Sequence, residues 1–137
     1  MKRVVYDEVK KVGEWVCERL DCVFDPCAST AIGLESNGKL IAGVVFDNYR
    51  HRSIAMHVAS EGANWLSRDF LKAVFGYCFF QMKVNKVVGL VDSGNEKARK
   101  FDEHLGFILE GVIKDAAKDG DILIYTMTLP QCRFLKG

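Results

Sequence analysis

The stretch Asn95-Glu96-Lys97-Ala98-Arg99-Lys100-Phe101-Asp102-Glu103-His104-Leu105-Gly106-Phe107 decides which folds are open to this chain. Ser93-Gly94-Asn95-Glu96 has the form of a capping box, in which a hydroxyl and a carboxylate satisfy the first free N–H groups of a helix. The spacing therefore predicts a helix opening here and running through Leu105, with Gly106 supplying the left-handed residue that stops it. Just upstream, residues 87–91 form a short apolar run suited to a buried strand. Downstream, strands are expected around 107–113 and 122–129. Lys118-Asp119-Gly120-Asp121 makes the turn between them, and Pro130 closes the core.

Working back toward the N-terminus, Asp7 can cap a first helix whose Val9, Val12, Val16 and Leu20 recur at three and four. A loop holding Asp25-Pro26 follows. Residues 31–35 and 39–46 then flank Ser36-Asn37-Gly38, a hairpin signal because Asn-Gly accepts positive φ. After the polar turn containing Asn48, Arg50, His51 and Arg52, residues 53–59 read as a third strand. Its two faces are Ile54, Met56, Val58 and Ala55, His57, Ala59. A second helix starts near Ser67, and Phe70, Leu71, Val74, Phe75, Cys78, Phe79 and Met82 give it a wide apolar face that must meet a sheet. Helix, three-strand meander, helix, strand, helix, two strands is an α+β order, which by itself leaves several folds open.

With 137 residues, 49% of them hydrophobic and 27% charged, the chain fits a single domain spanning 1–137 with its own core. A formal net charge of +1 offers no broad attraction to nucleic acid or to an anionic membrane, so neither is an expected partner. Lys10-Lys11 and Arg50-His51-Arg52 read as solvated surface. Cys17, Cys22, Cys27, Cys78 and Cys132 form an odd set without Cys-x-x-Cys or a His pair at zinc spacing. Free thiols in a reducing cytoplasm and no metal are the expectation. Asp7, Glu8, Lys10 and Lys11 interrupt any signal-like apolar run, and no stretch has the length of a membrane span.

The run from Asn95 to Phe107, followed by Glu110-Gly111-Val112 and Lys114-Asp115, resembles the C-terminal half of the GNAT N-acetyltransferases. It is most similar to the branch that acts on ribosomal-protein N-termini, in the short form found in bacteria and phages, and the likeness extends loosely over 30–130. The resemblance implies a GNAT-like α+β fold with a mixed, mainly antiparallel central sheet and helices on both faces. It also implies an acyl-CoA N-acyltransferase of the bacterial cytoplasm, which would pass an acetyl group from acetyl-CoA to a primary amine by direct transfer in a ternary complex. The amine could belong to a small molecule or a protein N-terminus, and a homodimer is compatible with the family. The alternative is a non-catalytic GNAT-like module that binds coenzyme A or a partner.

Carried over residue by residue, the resemblance places the coenzyme along Val58 and Ala59 of the third strand, Gly62 and Ala63 of the following loop, Ser67 and Arg68 at the helix start, and Asn95. The pyrophosphate loop departs from the family pattern Gln/Arg-x-x-Gly-x-Gly/Ala, whose positions fall here on Gly62, Trp65 and Ser67. A Trp stands where a Gly normally lets the backbone approach phosphate. A helix start still presents free N–H groups and a positive dipole end to an anion. Arg68 in that first turn opposes the dipole by about 0.3 to 1 kcal/mol unless an anion sits there.

Acetyl transfer needs a neutral amine, a donor to the thioester oxygen and a proton for the departing thiolate. Many family members use a helix Tyr as the acid; the aligned residue is Asp102, beside Phe101, so that acid is expected to be missing and water to serve instead. His57 is the first candidate base and Glu61 the second, while His51 and His104 read as turn and helix-end residues. Cys78 belongs to the core and Cys132 reads as a surface thiol without a base, which disfavours an acyl-cysteine route. Trp15, Phe75, Phe79 and Phe80 read as core anchors, and Trp65 as either core or pocket lining.

Overall fold

The computed structural model describes residues 1–62 and 67–135. In chain order these form β1 (Lys2–Val5), α1 (Val9–Leu20), β2 (Thr30–Ser36), β3 (Lys39–Asp47), β4 (Ser53–Ser60), α2 (Arg68–Gly76), β5 (Lys86–Asp92), α3 (Glu96–Leu105), β6 (Ile108–Ala117) and β7 (Gly120–Thr128). The strands make one seven-stranded sheet in the order β1-β2-β3-β4-β5-β7-β6. Every pairing is antiparallel except β4 with β5, which is parallel. This is the mixed, mainly antiparallel sheet expected from the sequence, with helices on both faces.

Alternation along the strands sorts the apolar residues into two layers. On one face α1 buries Val12, Val16 and Cys17 against Val5, Ala31, Leu40, Val45 and Ala59. Two glycines let the helix approach: a Cβ on Gly33 would stand 2.8 Å from Val12, and one on Gly43 2.6 Å from Val16. On the other face α2 contributes Phe70, Leu71, Val74 and Phe75 to a larger cluster with Phe46, Met56, Tyr125 and Met127. α3 joins the same layer through Leu105, and Phe107 follows it there.

The hairpin at Asn37-Gly38 has both residues at positive φ (54° and 81°), as a two-residue turn between twisted strands requires. α3 also ends as expected, with Gly106 at φ 107°. Its start differs. Asn95, not Ser93, is the cap and accepts from the Ala98 N–H at 3.1 Å. The Ser93 hydroxyl instead accepts from the Asp121 N–H at 3.0 Å, tying the end of β5 to the β6–β7 turn.

Other expectations need correction. β1 was not foreseen; it extends the sheet beyond β2 by pairing Lys2–Val5 with residues 33–36. Because Val4 and Val5 are used by that strand, α1 starts one residue later than Asp7 would set it, with Glu8 at the cap position and no side-chain cap. α2 passes at Gly76 into a single π-helical turn, Tyr77–Gln81, which leaves Phe80 56% exposed and so not a core anchor. Pro130 does not close the core: it sits in a 3₁₀ turn, Leu129–Gln131, and the tail beyond it buries Cys132 and Phe134. Phe134 stacks on Phe75 with ring centroids 5.7 Å apart. Cys132 is therefore a buried thiol. The five cysteines are free, and no described helix is long and apolar enough to cross a membrane.

Candidate active site

The parallel pair β4–β5 is joined only through Ser53, Ile54 and Ala55, opposite Lys86, Val87 and Val88. Both strands run on, β4 to Ser60 and β5 to Asp92, without pairing to each other. The splay opens a cleft of about 340 Å³ through the sheet, walled by β4, β5 and α3. At its outer end it joins a space of about 310 Å³ bordered by Arg19, Ser60 and Lys97; Leu20, Val58, Asn95, Ala98 and Phe101 line both. Strand backbone that has lost its partner keeps free N–H and C=O groups, so this edge of β4 can hydrogen-bond an amide-bearing ligand lying in the gap.

His57 projects from β4 on the α1 side and lines the cleft. Its Nε2 lies 2.9 Å from Oδ1 of Asp47 at the end of β3, the two side chains being 35% and 37% exposed. With Nε2–H donating to that carboxylate, Nδ1 keeps its lone pair, the form a base requires. His57 and Asp47 also line a second pocket of about 240 Å³ beneath α1, with Cys17, Val23, Phe24 and Val45. The imidazole thus stands between a cleft and a pocket on the opposite side of it. Asp47 was missed in the sequence, where its place before a polar turn gave no sign of a partner ten residues on.

Glu61 is engaged elsewhere. Its Oε2 accepts from Arg19 Nε at 2.9 Å and from an Arg19 terminal nitrogen at 2.7 Å, while the guanidinium lies 3.6 Å over the Trp15 ring. The structure does not bring Glu61 into the lining of the cleft beside His57. Of the residues expected along the coenzyme, Val58, Ala59 and Asn95 do come together around the outer space. Gly62 follows β4 at φ 78°, a conformation that suits glycine, with nothing near its Cβ position. The Ser67 hydroxyl caps α2 by accepting from the Phe70 N–H at 3.1 Å. Arg68, first residue of α2, is exposed and lines neither space. Ala63 and Trp65 lie outside the described residues.

Across the cleft from His57, α3 presents Asp102. Its Oδ2 would lie 3.3 Å from a Cβ on Gly89, so the bare backbone of β5 makes room for it. Burial, and then the Glu103 charge, push the Asp102 carboxyl up to about 7. Glu103 itself is held by the Tyr125 hydroxyl, which donates to Oε2 at 2.7 Å. Two of the thiols, Cys17 and Cys78, are poor nucleophiles, because burial pushes them up to about 12. Among the described residues no group of three or more His, Cys, Asp or Glu is placed to hold a metal.

No protein-family model matches the chain, and no curated protein sequence does either. Solved structures do. The chain is similar to the dodecameric spermidine N-acetyltransferase from Vibrio cholerae in an intermediate state, with TM-score 0.72, 16% identity and 93% of each chain covered. A protein of Acinetobacter baylyi ADP1 assigned as an acetyltransferase gives TM-score 0.71 and 17% identity, covering 96% of this chain and 94% of its own. A chimera of the Vibrio cholerae enzyme SpeG and hSSAT gives TM-score 0.68 and 19% identity over 93% of this chain and 94% of its own. Splayed strands, helix order and sheet order together give this chain the GNAT-like fold of those acetyltransferases.

Proposed function

We propose that this single-domain chain is an N-acetyltransferase that carries an acetyl group from acetyl-CoA to a primary amine by direct transfer within a ternary complex. The observation that carries the reading is the gap between β4 and β5, with a carboxylate-bound histidine on one wall and an uncapped strand edge along it. The residues suit the coenzyme: Val58, Ala98 and Phe101 offer apolar walls to the pantetheine arm, and the unpaired β4 edge can match its amides. Asn95 stands at the rim, and the capped start of α2 offers free N–H groups suited to a pyrophosphate. The amine enters through the pocket beneath α1 and meets His57 from the side away from the coenzyme. High thiol pKa values at Cys17 and Cys78 support direct transfer rather than an acyl-cysteine route.

A melting experiment tests the coenzyme half of the proposal. At a hundredfold excess over its dissociation constant, a ligand of the native state adds about 2.7 kcal/mol, worth several degrees in Tm for a domain of this size. Acetyl-CoA at millimolar concentration is expected to produce that rise. An unchanged melting curve removes the coenzyme, and with it the reaction. A rise in Tm with no transfer to any amine would instead support a binding module.

A further inference from the structure

Besides His57, two carboxyl groups line the cleft, Asp92 and Asp102, and the proposed reaction, as stated, leaves both unused. Asp102 lies in the middle of α3 with its carboxyl turned toward the bare backbone of Gly89, opposite His57. Among the described residues its side chain has neither a hydrogen bond nor an ion pair. An unpaired carboxyl in a half-closed site is costly for a protein to keep.

We propose that Asp102 is the general acid of this site, donating the proton that the coenzyme sulfur needs as it leaves the acetyl group; the assignment rests on the acetyl-transfer reading. The amine nitrogen forms one C–N bond to the carbonyl carbon, and one C–S bond breaks with its electron pair remaining on sulfur. His57 takes the amine proton at Nδ1, and Asp102 gives a proton to sulfur directly or through one water. Afterwards His57 returns its proton to solvent and Asp102 takes one up, so that amine and thioester have become amide and thiol. The two groups belong to opposite faces of the sheet, His57 with the α1 layer and Asp102 with the α3 layer, so base and acid reach the thioester from different sides.

A carboxyl can do this near neutrality only if it is still protonated there, and the surroundings favour that. Arg99 and Glu103 are its charged neighbours on α3, and His57 from β4 and Asp92 from the end of β5 line the cleft with it; Tyr125 of β7, paired opposite Gly89, gives its hydroxyl to Glu103. Burial and Glu103 raise its pKa, while Arg99 is drawn toward the carbonyl of Ser93 at 3.3 Å.

The test compares wild type with Asp102→Asn, a near-isosteric change that removes the proton. With acetyl-CoA, kcat is expected to fall by about 10²- to 10⁴-fold at nearly constant KM. The wild-type decline in kcat as pH rises through about 7 is expected to vanish in the variant. A readout independent of turnover is the ¹³C shift of the Asp102 carboxyl. Its titration midpoint should move when coenzyme A binds and stay put with desulfo-coenzyme A, which lacks the sulfur. Activity within threefold of wild type with the same alkaline limb, or equal shifts with both ligands, overturns the assignment. If wild type acetylates no amine the underlying reading fails, and the carboxyl titration still reports whether Asp102 meets the sulfur.

Discussion

At the level of single residues, Asp102 has a consequence for stability that needs no substrate. Its folded pKa of about 7 lies above the unfolded value near 3.8, so between those values the unfolded chain releases a proton that the folded chain retains. Folding stability should therefore fall as pH rises from about 4 to 7 and level off above. Asp102→Asn removes the effect. Denaturant titrations are expected to show the variant more stable than wild type at pH 7.5, by up to roughly 4 kcal/mol for the full shift, and nearly equal to it at pH 4. A difference independent of pH would mean that the carboxyl is not held protonated. The places of His57 and Asn95 at the cleft were legible because a histidine between two alanines on a strand and an Asn ahead of a helix are both visible in one dimension. Asp47 and Asp102 were not: one gains its role from a cross-strand diagonal, the other from burial that a helix of ordinary charged residues does not announce. Glu61 stands apart from the cleft lining, and its partner Arg19, forty-two positions away, is not visible in one dimension.

Among the elements, the ones that follow local rules were the ones readable in advance. The β2–β3 turn needs two residues at positive φ and has Asn-Gly; α3 needs a left-handed stop and has Gly106. β1 was invisible because two of its four residues are charged and its strand character comes only from pairing with β2. The break in α2 escaped notice because the π-helical turn at Tyr77–Gln81 keeps the same apolar side chains in sequence. Gly106→Ala tests how firmly the α3 stop is held. The new Cβ meets nothing closer than 3.5 Å, so the cost is backbone strain at φ 107°. A loss of about 1 to 2 kcal/mol and a drop of several degrees in Tm are expected. An unchanged Tm would show that the backbone relaxes there without cost.

For the molecule as a whole, the strands that part between β4 and β5 set the chemistry, and the near-neutral charge sets what can approach. The near-zero net charge offers no broad field for polyanions, and the pocket beneath α1, the proposed amine entrance, is mostly apolar, with Asp47 as its carboxylate. On the proposed reading, a site whose one base is a histidine suits an amine that gives up its proton easily. A peptide N-terminus titrates at about 7.7 to 8.0, whereas a lysine at about 10.4 costs roughly 4 kcal/mol to neutralise at pH 7.5. The most direct test of the central claim is amine-dependent release of coenzyme A thiol from acetyl-CoA at pH 7.5, measured over a panel of peptide N-termini, lysine side chains and small primary amines. The account predicts one thiol released per amide formed, fastest with amines of low pKa and strongly reduced by His57→Ala. Coenzyme that binds but is never discharged to any amine, or discharge unaffected by His57→Ala, would contradict it.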